Sequence, residues 1–164
     1  MAGDPVSEVI IVAIGANLPG PNGETPRQTC EWAVERLSAL PGLTVSAVSD
    51  WYETAPDPPS GQPNYVNGAA LLAGQADPEA LLTALHAIEA EAGRVRSVRN
   101  AARPLDLDLI AVDGLVRDDA PILPHPRAHL RAFVLMPLRD VAPSWRHPAT
   151  GLTADGMLAA LRRP

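Results

Sequence analysis

The chain has 164 residues, of which 46% are hydrophobic and 20% charged, and its net charge is −6. This length and composition exclude a disordered chain and predict a single domain over residues 1–164. The acidic balance argues against nucleic acid as a partner, and all 13 basic residues are arginine, which excludes a catalytic lysine. Without a signal peptide or an apolar run of membrane-spanning length, we expect a cytoplasmic protein with no membrane contact.

The first half of the chain predicts a strand, a helix and two further strands. Residues 9–14 form a short β-branched apolar run, which is typical of a buried strand. A capping-box start at Thr25 precedes a helix whose apolar face includes the lone Cys30. Strands over 43–54 and 65–72 follow, and a proline-rich loop separates them.

The second half predicts a helix, a strand and two short helices. Asp77 caps the helix, Gly93 ends it, and the strand covers residues 105–112. The order strand, helix, strand, strand, helix, strand predicts an α+β fold with a ferredoxin-like βαββαβ core. In that fold helices pack on one face of an antiparallel sheet, and short helices over 131–138 and 153–161 form a C-terminal extension.

Two aspartates alternate with leucines in the last predicted strand, so Asp106 and Asp108 point to the same face. Two like charges about 4 Å apart repel by about 4 kcal/mol at an effective dielectric constant of about 20. Folding alone gives no reason for such a pair, whereas a divalent cation does, and oxygen ligands favour Mg²⁺ over Zn²⁺. The alternative is a pair neutralised by arginine at a sheet edge.

Arginines and one histidine surround this strand in the sequence. Four arginines stand directly before it, at Arg94, Arg96, Arg99 and Arg103. Guanidinium groups in a loop beside two carboxylates match a polyphosphate with its metal ions, although structural ion pairs are the alternative. His125 lies between two prolines that hold it extended, which suits either a phosphate contact or a structural role.

Two of the few aromatic residues in the chain are candidates for binding a flat ligand. Tyr65 and Asn67 share a strand face, and Phe133 is the single phenylalanine. A flat heteroaromatic ligand between the two rings would explain their use, and core packing is the alternative for each ring. Considered alone, Glu89 near the end of the second helix is expected to lie on a solvated face.

Taken together, these residues resemble the 6-hydroxymethyl-7,8-dihydropterin pyrophosphokinase family of folate biosynthesis, over nearly the whole chain. The motifs that carry the resemblance are Ala13-Ile14-Gly15-Ala16-Asn17, Tyr65-Val66-Asn67, Gly93-Arg94-Val95-Arg96, Arg103-Pro104-Leu105-Asp106-Leu107-Asp108-Leu109-Ile110, Pro124-His125-Pro126-Arg127 and the segment Arg131-Ala132-Phe133-Val134-Leu135. The resemblance implies a ferredoxin-like enzyme that transfers pyrophosphate from ATP to the hydroxymethyl group of the pterin and releases AMP.

The resemblance also implies roles for individual residues. Asp106 and Asp108 would hold two Mg²⁺ ions and, with Arg94 and Arg103, form the catalytic set. The residues implied in ATP binding are Glu89, Arg96, His125 and Arg131. Those implied in pterin binding are the stacking rings Tyr65 and Phe133 and the polar groups Thr54 and Asn67. No dedicated base is evident, and either deprotonation of the metal-bound hydroxyl or Asp108 as proton acceptor would serve.

The chain departs from the family in the loop before the aspartates. Asn100-Ala101-Ala102 stands where the family usually has an aromatic residue followed by Gly-Pro. We expect this loop to be mobile without ligand and to close through its arginines. A two-metal phosphodiesterase and a non-catalytic ligand sensor are the rival interpretations. The expected partners are small-molecule substrates, and the expected state is a monomer.

Overall fold

The structure is a computed structural model that describes residues 7–55, 64–93 and 104–162. Its elements are β1 (Ser7–Ala16), α1 (Pro26–Ser38), β2 (Leu43–Val48), β3 (Tyr52–Thr54), β4 (Tyr65–Gly74), α2 (Pro78–Glu91), β5 (Asp106–Val112), α3 (Ala132–Val141) and α4 (Ala154–Leu161). The strand order is β2-β4-β1-β5, β3 also pairs with β4, and every pairing is antiparallel. The predicted α+β class is confirmed, and the order of elements agrees with the prediction except that one predicted strand is divided in two.

The strand predicted over 43–54 is two strands, β2 and β3, with a break at residues 49–51. The Ser49 hydroxyl accepts a hydrogen bond from the Ala69 amide at 2.8 Å, so a side chain enters the ladder of backbone hydrogen bonds. Trp51 then packs across Gly68, where a Cβ atom would come within 2.4 Å of the indole ring. A polar residue and a ring of this size therefore bend the chain while both halves stay on the same edge of β4.

Helices cover both faces of the sheet. The first face packs against α1 and α2, and its core joins alternate residues of three strands, among them Val12, Leu72 and Leu107. Cys30 lies in this core with no exposed surface, and burial raises the pKa of its thiol to about 12, as suits a structural residue. The second face packs against α3 and α4, so the C-terminal extension covers the side that the ferredoxin-like core leaves open.

The ends of the helices follow the predicted caps. Thr25 and Gln28 form a reciprocal capping box at α1, and the Asp77 side chain accepts from the Ala80 amide at α2. No helix within the described residues is long and apolar enough to cross a membrane.

Candidate active site

The two aspartates of β5 lie on the second face of the sheet. Leu105, Leu107 and Leu109 point into the first core, and the alternation leaves Asp106 and Asp108 half-buried on the opposite side. Both aspartates line one cavity of about 290 Å³. The shared face that the sequence predicts for this pair is therefore present, and the structure adds a cavity beside it.

The outer edge of β5 is held from two sides. The Leu107 amide, between the two aspartates, donates to the Glu89 carboxylate at 2.8 Å, and Glu89 has no exposed surface. Farther along, the Ile110 carbonyl accepts from the His125 amide at 2.8 Å. Because an edge strand otherwise leaves such groups unpaired, these bonds fix the backbone that carries the aspartates. Glu89 is thus a buried residue bonded to a strand, not a solvated one.

The cavity lies between α2 and the segment 120–126. Its walls are mostly apolar, with Leu82, Pro121 and Ile122 among them, and His86 and His125 add polar groups. The floor is β5 itself, since Asp106 through Asp108 belong to the lining. A cavity with apolar walls and two carboxylates at one side suits a ligand that has a flat apolar part, which the walls would contact, and a charged part that binds metal.

His125 is placed as a neutral hydrogen-bond donor in this wall. Its Nδ1 accepts from the Arg127 amide at 3.2 Å, so the proton of the neutral ring is on Nε2. Burial, followed by the charge of Arg131, lowers the pKa of His125, and Asp106 acts in the opposite direction. A phosphate bound nearby would favour the protonated ring, because its charge opposes that of Arg131.

Three strands bring predicted site residues into one row across the second face. Asn67 on β4 is opposite Gly15 on β1, and Gly15 is opposite Asp106 on β5. The Asn67 amide nitrogen donates to the Thr54 hydroxyl at 3.0 Å, so β3 orients the amide group. Thr54, Asn67 and Asp106 come from distant parts of the sequence, and the sheet register brings them together.

The two predicted stacking rings are both partly exposed. Tyr65 is 37% exposed at the start of β4, and Phe133 is 42% exposed in the first turn of α3. The Arg131 guanidinium lies 5.6 Å from the centroid of the Phe133 ring, within the range of a cation–π contact. Neither ring is used to fill a core, which removes the packing explanation for both.

Sequence reasoning missed a contact that joins β3 to α3. The Tyr52 hydroxyl donates to the Asp140 carboxylate at 2.7 Å, and the Asp50 amide donates to the same oxygen at 3.2 Å. This hydrogen bond to a carboxylate raises the pKa of Tyr52. It ties the strand that carries Thr54 to the helix that carries Phe133. The sequence gives one indication that Tyr52 belongs near the site: it is two residues before Thr54 and therefore on the same face of the strand.

The predicted arginine cluster, Arg94, Arg96, Arg99 and Arg103, and the loop residues 100–102 lie outside the described residues. Among residues 7–55, 64–93 and 104–162, no three Asp, Glu, His or Cys side chains converge as a metal site. Two carboxylates on one wall still fit Mg²⁺, which commonly takes one or two protein carboxylates and completes its shell with phosphate oxygens and water.

Comparison with known proteins finds a family and several relatives. The sequence profile of the 7,8-dihydro-6-hydroxymethylpterin-pyrophosphokinase family matches residues 11–143, which include every candidate site residue. A Pseudomonas aeruginosa protein named 2-amino-4-hydroxy-6-hydroxymethyldihydropteridine pyrophosphokinase is 43% identical over 141 residues, or 85% of this chain and 83% of that protein. A Synechocystis protein of the same name is 37% identical over 145 residues, or 87% and 71% of the two chains. One from Methylorubrum extorquens is 41% identical over 112 residues, or 68% and 71%.

Proposed function

The chain belongs to the 7,8-dihydro-6-hydroxymethylpterin-pyrophosphokinase family, and from this premise we propose that it transfers pyrophosphate from ATP to the hydroxymethyl group of 6-hydroxymethyl-7,8-dihydropterin in folate biosynthesis. The observation that carries the proposal is the row from Asn67 to Asp106, in which a polar side chain suited to the edge of a pterin is separated from the Asp106 carboxylate by one glycine.

The reaction joins two bound substrates. The hydroxymethyl oxygen attacks the β-phosphorus of ATP, the bond from that phosphorus to the oxygen of the α-phosphate breaks, and AMP leaves with that oxygen. The hydroxyl proton is released, and the pterin carries the pyrophosphate. Because no covalent bond to the protein forms, the residues contribute by holding the oxygen and the phosphorus in line and by balancing charge.

Asp106 and Asp108 would hold two Mg²⁺ ions. When bound, such ions neutralise phosphate charge and favour loss of the hydroxyl proton. The support for this assignment is the shared face of the two carboxylates and their position on one cavity wall. Arg94 and Arg103 complete the proposed catalytic set, and their positive charge would offset that of the transferred pyrophosphate.

ATP would enter the cavity with its base against the apolar walls at Leu82 and Ile122 and its phosphates toward the aspartates. His125 lies in the same lining, so its Nε2–H would donate to a phosphate oxygen, and Arg131 and Arg96 would add positive charge. Glu89 would contribute by holding β5 in place, through the bond between its carboxylate and the Leu107 amide.

The pterin would occupy the open part of the second face. Tyr65 and Phe133 are exposed rings suited to stack on a flat bicycle. Thr54 orients the Asn67 amide, which would pair with the polar edge of the pterin. We further propose that residues 1–164 act as a single domain, as a monomer and in the cytoplasm.

The direct test incubates the purified protein with ATP, MgCl₂ and the reduced pterin and separates the products by chromatography. Transfer predicts equal amounts of AMP and pyrophosphorylated pterin, and the reaction should stop when EDTA removes the metal. AMP with free pyrophosphate would indicate a hydrolase, and ligand binding without turnover would indicate a sensor. The Asp106→Ala protein is the matched control, because a sensor would retain most of its ligand affinity after this change.

A further inference from the structure

Gly15 lies on the central strand β1 and directly between two residues of the proposed site. Asn67 is its partner on β4, and Asp106 is its partner on β5. Directly opposed residues of antiparallel strands point to the same face, so a side chain at position 15 would stand between Asn67 and Asp106. Gly15 is also partly exposed, although both of its neighbours on the strand, Ile14 and Ala16, are buried.

The backbone of Gly15 does not require glycine. Its φ is not among the positive values found at other glycines of the described chain, such as Gly42 and Gly74. Glycine inside a strand is less favourable than alanine, because it loses more backbone freedom on folding. We therefore explain the glycine by the space above the strand, which any side chain at this position would partly fill.

That space is bounded by the Asn67 amide. A Cβ atom on Gly15 would lie 3.0 Å from the Asn67 Oδ1 atom and 3.7 Å from the Val66 carbonyl oxygen. The Asn67 amide cannot withdraw freely, because its nitrogen donates to Thr54 at 3.0 Å. Even a methyl group would thus press on a polar group that is already oriented by a hydrogen bond.

We propose that Gly15 is a specificity-determining residue for the pterin substrate. Its bare backbone forms the floor of a slot in which a flat, polar-edged bicycle reaches from the Asn67 amide to the carboxylate of Asp106. Two strand spacings separate these residues, a span of about 10 Å, which suits a fused two-ring system with a hydroxymethyl arm. This inference rests on the proposed function. It adds a residue that leaves room for the pterin between the Asn67 amide, which would bind its polar edge, and the Asp106 carboxylate.

The test compares Gly15→Ala with Gly114→Ala, a matched control in which the same methyl group meets no atom within 4 Å. For Gly15→Ala we expect the KM of the pterin to rise about tenfold or more, as for an added methyl in a packed site, with the KM of ATP nearly unchanged. The thermal midpoint should stay within a few degrees of the wild type, because the better strand propensity of alanine offsets the contact with Asn67. The control should match the wild type in all three quantities. A merely structural role of Gly15 predicts a lower thermal midpoint and no selective effect on the pterin.

A second variant tests the contact itself. Asn67→Ser shortens the side chain that meets the new methyl group, so the further loss of pterin affinity caused by Gly15→Ala should be smaller in that background. Equal losses in both backgrounds would overturn the inference.

Calorimetric titration of the wild type with the pterin, in the presence of a non-hydrolysable ATP analogue and Mg²⁺, distinguishes a failure of the inference from a failure of the proposed function. A wild type that binds no pterin overturns the proposed function and the inference with it. If the wild type binds the pterin and Gly15→Ala binds it equally well, the inference is wrong and the proposed function stands.

Discussion

The two faces of the same sheet are built for different purposes. The first face is apolar along its whole length and is covered by α1 and α2, with Ile10, Val12 and Ile14 of β1 all in its core. The second face begins in the same way, with Ile11 and Ala69 packed under α3 and α4. Toward the end of β1 it changes to Ala13 and Gly15, and the flanking strands present Asn67 and Asp106.

This difference shows how one sheet separates stability from chemistry. Successive residues of a strand point to opposite faces, so β5 places its leucines toward the first core and its aspartates on the second face. Charges that would be costly in the first core are half-buried on the second face, and both carboxylates border the cavity. Substitutions of two neighbouring residues in this part of the chain should therefore affect different properties, one the catalytic activity and the other the stability.

The largest expected contrast is between Asp106→Asn and Leu105→Ala. Asp106→Asn should lower kcat by at least about two to three orders of magnitude, because a ligand for charge-neutralising metal is lost, and it should hardly change the thermal midpoint. Leu105 is fully buried in the first core and does not line the cavity, so Leu105→Ala should lower the free energy of unfolding by about 2–5 kcal/mol and leave kcat of the folded protein near the wild-type value. Steady-state kinetics and urea unfolding on both proteins check this, and matched effects on activity would break the division between the faces.

Glu89 connects the first face with the proposed site. It belongs to α2, which covers the first face, and its carboxylate accepts a hydrogen bond from the β5 backbone between the two aspartates. Glu89→Leu leaves the Leu107 amide without its acceptor, which should cost about 1–3 kcal/mol of unfolding free energy. It should also raise the Mg²⁺ concentration needed for half-maximal activity, since the backbone between the aspartates is loosened. Glu89→Gln keeps an acceptor oxygen and is the control. If the two variants responded identically to Mg²⁺, the bond to Leu107 would have no part in positioning the aspartates.

Phe133 tests whether the exposed end of the second face serves a ligand. Phe133→Leu should raise the KM of the pterin by up to about tenfold, because ring stacking is lost, while the thermal midpoint stays within a few degrees. Leu130→Ala, at a residue that is 61% exposed, is the control and should change neither quantity. A Phe133→Leu protein with normal pterin kinetics and reduced stability would show that the ring stabilises the fold and does not bind the pterin.

The smallest effect concerns a buried polar group on the second face. His147 packs against the rings of Trp145 and His129, and burial, followed by His129, lowers its pKa. The unfolded chain thus binds a proton at His147 more readily, and the free energy of unfolding should fall as the pH drops below about 6.5. His147→Asn keeps an acceptor for the Ala149 amide but does not titrate, so its urea unfolding should depend less on pH between 7 and 5. An unchanged slope would exclude His147 as the source.

Much of the molecule could be predicted from local patterns. Caps at Thr25 and Asp77 marked where α1 and α2 begin, and the alternation in β5 placed both aspartates on one face. Tyr65 and Asn67 were assigned to one face of a strand in the same way. The break between β2 and β3 could not be predicted, because it depends on the Ser49 hydroxyl meeting the Ala69 amide of another strand.

By itself the sequence determined which elements form, which faces of them are apolar and which residue types are available for metal, phosphate and a flat ring. These properties follow from periodicity and side-chain chemistry, which act within a few residues of the chain. Only the tertiary structure decided that Asn67, Gly15 and Asp106 form one row, that Glu89 is bonded to β5 and that Tyr52 holds Asp140. Strand register and helix docking are set by contacts between distant segments, and no local pattern contains them.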